Sequence, residues 1–395
     1  MIDFNYERVG KIFLRKAFQK LNRVEPQVGA TGVELMDFPA FMATDFKLTW
    51  LVKKILVAGQ PAIIGGHRKT LKTTMALGLA ISLASGKPFL DKFAVPDRMR
   101  VAVFSGESGG ATLQETVRRI CRSMDIANPD KLPIFVGLRL PRLSEEDEIE
   151  ALQKLIRNLG VQVVIIDPLY LCLMGINSKI NPASIFEMGP LLARISSACL
   201  DAGATPILVH HFRKWAGQFR KGDDQNLQPP EMDDLQFAGI QEFMRQWMLF
   251  GRREKFDPDS GRDEMWMNVG GSAGFSSLWA LTINQGKLRS DFSGRHWRVA
   301  VHTSAEARAQ SAQRREADDD AKQLARNARD SQKVLKFLRQ HPQGETKSQI
   351  KARAHLGNQV GTVLDEMVED GALVECTIVK AAGNAKSRSL AAFRL

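Results

Sequence analysis

The chain has 395 residues, 44% of them hydrophobic and 25% charged, and carries a formal net charge of +11. That size and composition describe a globular chain with one main domain and smaller attachments. No apolar run approaches the roughly 20 residues that span a bilayer. Met1 to Arg23 scatters Asp3, Glu7, Lys11, Arg15 and Lys16 among its apolar residues, which excludes the unbroken centre of a secretory signal. A cytoplasmic protein with no membrane anchor is the expectation. The positive charge favours a polyanionic partner, of which nucleic acid is the commonest. Cys121, Cys172, Cys199 and Cys376 show no C-x-x-C spacing and no adjoining histidine, so neither a zinc site nor a disulfide framework is indicated.

In chain order, residues 1–49 predict a basic amphipathic helix followed by an arm. Residues 50–303 are read as one α/β domain: from Trp50 to His211 short apolar runs alternate with helical patterns, which predicts a mostly parallel sheet. The candidate strands are Ala62–Gly65, Arg100–Ser105, Ile134–Gly137, Val161–Asp167 and Pro206–His210. Thr112-x-x-Glu115 and Ser144-x-x-Asp147 predict amino-terminal caps for two of the helices between them. Further runs at Gln246–Phe250, Met265–Val269, Leu278–Ile283 and Trp297–Val301 predict antiparallel additions to one sheet edge. Residues 304–330 lack apolar periodicity and predict a solvated, charged helical linker. Residues 331–395 have their own pattern of three short helices and a β-hairpin, the arrangement of a winged-helix-like domain.

The segment Gly65-Gly66-His67-Arg68-Lys69-Thr70-Leu71-Lys72-Thr73-Thr74 follows a strand and opens a helix. A phosphate-binding loop needs those parts: small residues for close approach, free helix N–H groups, and a lysine and a hydroxyl at the helix start. Lys72 would neutralise β- and γ-phosphate oxygens, and the Thr73 hydroxyl would coordinate Mg²⁺. Leu71 stands where such loops carry a second glycine, a change the backbone tolerates if φ there stays negative. Asp167 ends the apolar run from Val161 and would supply the metal-side carboxylate. Glu107 follows the strand ending at Ser105 and would orient the attacking water. Read one by one, these are also a glycine-containing turn with exposed lysines, an Asp-Pro turn and a loop carboxylate. At His210-His211, strand alternation lets one imidazole face the nucleotide, and His211 is the expected sensor.

These pieces in this order resemble the RecA-like ATPases of the RepA-type hexameric helicase family, near the DnaB and KaiC branches of the AAA-family ATPases. The resemblance rests on Gly66 to Thr73, Ser105-Gly106-Glu107, Val163 to Asp167 and Val209 to Phe212, and covers residues 50–301. It implies a RecA-like P-loop core binding ATP and Mg²⁺. It further implies Glu107 as catalytic base and a homo-oligomeric ring, commonly a hexamer. Each site in such a ring is completed by an arginine of the adjacent subunit, and the matching region offers Arg245 first, then Arg252 and Arg253. A solvated basic face is the other reading of those arginines.

The interleaved cations and aromatics of Arg213-Lys214-Trp215 and Phe219-Arg220-Lys221 suit contact with single-stranded DNA, which the resemblance places in the ring's pore; a solvated loop is the alternative. Two functions from different classes follow. One is a DNA motor that hydrolyses ATP, such as a replicative helicase. The other is an ATP-controlled regulatory or scaffold protein whose winged helix binds DNA or a partner without unwinding. A nucleotide-dependent kinase or transferase is disfavoured, because no acceptor pocket is legible.

Overall fold

A computed structural model describes residues 27–28, 34–173, 181–213, 227–290, 293–382 and 386–395. The basic amphipathic segment before residue 27 and the Lys214–Lys221 stretch lie outside the described residues. The chain divides into two compact units, Met1–Ser304 and Ala305–Leu395.

In the first unit, a short helix α1 (Phe38–Ala43) and a strand pair β1 (Trp50–Val52) and β2 (Leu56–Val57) precede the main sheet. Then come β3 (Ala62–Gly66), α2 (Lys72–Ser85), β4 (Val101–Ser105), α3 (Gly110–Ser123), β5 (Ile134–Gly137), α4 (Glu146–Leu159) and β6 (Val163–Asp167). They are followed by α5 (Leu169–Cys172), α6 (Ile185–Asp201), β7 (Thr205–His211), α7 (Ile240–Phe243) and β8 (Gln246–Arg252). Three long strands end the unit: β9 (Arg262–Gly271), β10 (Phe275–Gly286) and β11 (Arg295–Thr303).

The nine strands β3 to β11 form one sheet in the order β11-β10-β9-β8-β3-β7-β6-β4-β5. Strands β8, β3, β7, β6, β4 and β5 run parallel to one another, and β9, β10 and β11 add antiparallel on the β8 side. The fold is therefore the expected α/β architecture, with a large and mostly parallel sheet of RecA-like kind.

Strand alternation sends successive side chains to opposite faces. Ile64, Val103, Ile165, Val209 and Met248 pack under α2 and α3, while Ile63, Ala102, Ile166, Leu208 and Leu249 pack under α4 and α6. Both faces are covered, so the central strands read as unbroken apolar runs. Polar residues fall at the strand ends: Thr205 and Gln246 open β7 and β8, and Ser105, Asp167, His210 and His211 gather at the carboxyl edge. Gln246 is fully buried at the start of β8, where its side chain accepts from Val57 N and donates to the Val57 and Gln60 carbonyls, each at 2.8 Å.

Both predicted caps are corrected. Helix α3 starts at Gly110 behind Gly109, so Thr112 lies inside the helix, where its carbonyl accepts from the Thr116 hydroxyl at 2.9 Å. Helix α4 starts one residue after Glu145 without a side-chain cap, and three acidic residues in its first turn meet the helix dipole instead.

In the second unit, α8 (Ser304–Leu338) is one continuous helix whose buried residues are Ala307, Val334 and Leu338. Its carboxyl end packs with α9 (Lys347–Arg353), α10 (Val360–Glu369) and the hairpin β12 (Val374–Ala382) and β13 (Lys386–Arg394). The core there comprises Val334, Leu338, Ile350, Val360, Val363, Leu364, Met367 and Leu373.

Candidate active site

The carboxyl ends of β3, β7, β6 and β4 lie side by side, and the register aligns Gly66 with His211 and Ser105 with Asp167. Residues more than 140 positions apart in the chain thus converge at one edge. Gly66 is fixed by space: a Cβ there would sit 2.6 Å from Thr70 Oγ1 and 2.8 Å from the Phe250 carbonyl oxygen. The loop closes on itself through His67, whose carbonyl accepts from the Thr70 hydroxyl at 2.7 Å and from Lys72 Nζ at 2.6 Å. Gly65 to Thr74 therefore form a strand, a tight turn and the first turn of α2, with Arg68 and Lys69 exposed.

Leu71 differs from expectation. It adopts φ 59° and ψ 19°, the left-handed region, immediately before α2. Lys69 also has positive φ, 60°. A side chain in that region is strained by about 1–2 kcal/mol. Here the leucine is partly buried and packs against the core beneath α2, which offsets the strain. The loop thus keeps the turn a glycine would give and adds an apolar anchor.

Lys72 is 6% exposed and Asp167 4%. Burial pulls the lysine down to about 8, partly opposed by Asp167 and Glu107. Burial likewise pushes Asp167 up to about 6, opposed by its hydrogen bond with Thr73. Both charged forms are disfavoured by desolvation, and a metal triphosphate brings the missing opposite charges: a polyanion beside the ammonium, a dication beside the carboxylate. The Thr73 hydroxyl and Asp167 are the groups that could hold Mg²⁺. Among the described residues no group of three His, Cys, Asp or Glu side chains could bind a metal by itself, so this cation would rely on phosphate oxygens for the rest of its shell.

The two histidines part as alternation requires. His210 is fully buried, with Nε2 at 3.1 Å from the Gln236 carbonyl and its ring 4.8 Å from that of Phe237. Burial pulls it down to about 3. His211 faces the site, with Nε2 at 3.7 Å from Glu107 Oε1. Burial and then the Lys72 charge lower its pKa, and Glu107 partly restores it. His67 is also lowered by burial, and its ring meets Phe212 edge-on at 5.0 Å.

The three arginines separate. Arg245 is exposed at the start of β8, whose first residue pairs with Ala62, so it lies at the sheet edge opposite the phosphate loop. Arg252 ends the same strand beside the loop. It donates to the Lys69 carbonyl at 3.0 Å and its guanidinium lies 4.4 Å from the Phe256 ring centre. Arg253 is buried, ion-paired with Glu264, and 5.7 Å from the Trp266 ring. The structure thus commits Arg252 to its own phosphate loop and Arg253 to its own sheet, which leaves Arg245 as the exposed one of the three.

Tyr170 was not singled out by sequence. Its hydroxyl donates to Glu107 Oε1 at 2.5 Å, and its ring centre is 5.5 Å from that of His211. The available signal was a lone phenol in Leu169-Tyr170-Leu171, three residues past the strand-ending Asp167.

Residues 30–217 match the AAA domain family. Comparison with curated proteins finds no match. Among solved structures, a KaiC-like protein of the hyperthermophilic archaeon Pyrococcus horikoshii is similar at 13% identity with a TM-score of 0.41, over 64% of this chain and 93% of that one. The family match, joined to the loop, strand order and acids described above, supports a P-loop ATPase of the RecA kind in this part of the chain.

Proposed function

We propose that the protein binds MgATP at this edge and hydrolyses it as a RecA-type motor acting on DNA, in the manner of a hexameric replicative helicase. The observation that carries the ATPase reading is the convergence of Lys72, Thr73, Asp167, Glu107 and His211 on the phosphate loop. Water attacks the γ-phosphorus in line with the bond to ADP. Glu107 takes the proton of that water, and the bridging oxygen leaves with ADP. Lys72 holds β- and γ-phosphate charge. Mg²⁺ held by Thr73 and Asp167 adds charge neutralisation when bound. In a ring of subunits, the exposed Arg245 is the candidate to complete a neighbour's site.

The DNA reading is supported by the +11 net charge and by the basic, aromatic stretch that starts at Arg213. A second reading draws on the carboxyl-terminal unit, whose three helices and hairpin suit a winged-helix-like domain. Its third helix, α10, exposes Asp365, Glu366 and Glu369, with Asp370 exposed just past its end. Asn327 of α8 donates to both Glu366 carboxylate oxygens, at 3.2 and 3.0 Å, and Gln323 donates to Gln359 at 2.8 Å. On the hairpin, Lys380 is ion-paired with Glu345, and Arg388 is exposed. An acidic helix partly covered by α8 suits docking to a protein better than reading bases, which favours an ATP-controlled regulator or scaffold.

ATPase rate with and without single-stranded DNA, followed by unwinding of a labelled duplex, separates the two. Strong stimulation with unwinding supports the motor. A rate indifferent to DNA supports the regulator, and absence of ATP hydrolysis in every condition ends the enzymatic reading.

A further inference from the structure

Glu107 is 41% exposed on the turn that follows β4. A carboxylate on such a turn has several staggered rotamers open to it, so its direction has to be imposed from outside. Two neighbours reach it, and both reach the same oxygen: the Tyr170 hydroxyl at 2.5 Å and, more distantly, His211 Nε2 at 3.7 Å. Among the described residues no hydrogen bond reaches Oε2. The phenol that holds Oε1 is itself held, because Tyr170 sits between Leu169 and Cys172, which are fully buried in the core under α4 and α6. The phenol therefore comes from a fixed point 63 positions along the chain, immediately beyond the strand that delivers Asp167.

We infer that Tyr170 is the positioning residue of the hydrolytic base: its hydroxyl fixes Glu107 through Oε1 and so presents Oε2 to the attacking water. The phenol does not compete for the proton. Its pKa is pushed up to about 12, chiefly by the hydrogen bond to Glu107, so it remains a donor throughout the neutral range. The inference rests on the hydrolytic reading above and adds to it a group that acts through Glu107.

The test uses the full-length protein and four forms: wild type, Tyr170→Phe, Glu107→Gln and the double variant. Each is measured for kcat, for KM, for equilibrium binding of a fluorescent ATP analogue with Mg²⁺, and for thermal midpoint. Tyr170→Phe keeps the ring and removes one oxygen. A hydrogen bond to a charged group lost in this way corresponds to about a tenfold to hundredfold fall in kcat, with KM, nucleotide affinity and midpoint unchanged. On the Glu107→Gln background the same change is expected to cause no further loss, because residues acting as one unit are not additive. An unaltered kcat in Tyr170→Phe, or a loss as large without Glu107 as with it, overturns the inference while leaving the ATPase reading standing. Wild-type protein that binds no nucleotide overturns both.

Discussion

The carboxyl edge of the main sheet and the carboxyl-terminal unit satisfy their polar groups in opposite ways. At the edge, Lys72 and Asp167 are buried with their charged forms disfavoured. The buried atoms Ser105 Oγ, His210 Nδ1 and His211 Nδ1 have no hydrogen-bond partner, and Lys69 and Leu71 bend into left-handed backbone within three residues. In Ala305–Leu395, no buried side-chain nitrogen or oxygen among the described residues lacks a partner, and the core is apolar throughout. A ligand is one thing that resolves such conflicts in native proteins. The edge is organised for something that arrives, and the small unit for its own stability.

The largest test of that contrast is Lys72→Ala. Removing the one buried cation of the phosphate loop is expected to lower ATP hydrolysis by at least about a hundredfold, with loss of analogue binding. A variant that keeps both would place the ligand site elsewhere.

Next in size is the pH dependence of stability contributed by His210. Its folded pKa, about 3, lies below the ordinary 6.5, so the unfolded chain takes up a proton first and stability falls as pH drops below about 6.5. The slope from this one group is at most about 1.4 kcal/mol per pH unit. Chemical denaturation at pH 7, 6 and 5 measures it, and a His210→Gln variant, which cannot titrate, is expected to show a shallower slope. Equal slopes in the two proteins would mean the imidazole is not held neutral by burial.

The smallest effect is expected in the other unit. Asn327→Ala removes two exposed hydrogen bonds to Glu366 and is expected to lower the stability of that unit by less than about 1 kcal/mol, with ATPase rate unchanged. A large rate change would show that α8 and α10 report to the nucleotide site.

The two regions also differed in how much their sequence disclosed. Strand positions in the sheet were legible because the central runs are apolar on both faces and end in Asp167 or His210-His211, and polarity marks where a buried strand stops. The edge antiparallel strands were seen but drawn short: Met265–Val269 extends to Arg262–Gly271, because outer strands carry polar residues that conceal their ends. Glu107, Lys72 and Thr73 were legible from their places after strands or at a helix start. Tyr170 was not, since the role proposed for it arises from a contact with a residue 63 positions away. The backbone at Leu71 was misjudged because residue preference argues for negative φ, and only the packing of its side chain against the core shows why the opposite is tolerated. In the carboxyl-terminal unit the helices were legible and the partner was not. The acids of α10 announce a charge without saying whose opposite charge they meet.

Leucine at position 71 also alters when the phosphate loop acquires its shape. A glycine would leave that peptide free to wander through both halves of conformational space until an anion gathered its amides. A leucine packed against the core narrows that freedom once the domain folds. A triphosphate bound there, as proposed, would meet a socket already formed, so less of its interaction energy would go into ordering backbone and more would remain as grip.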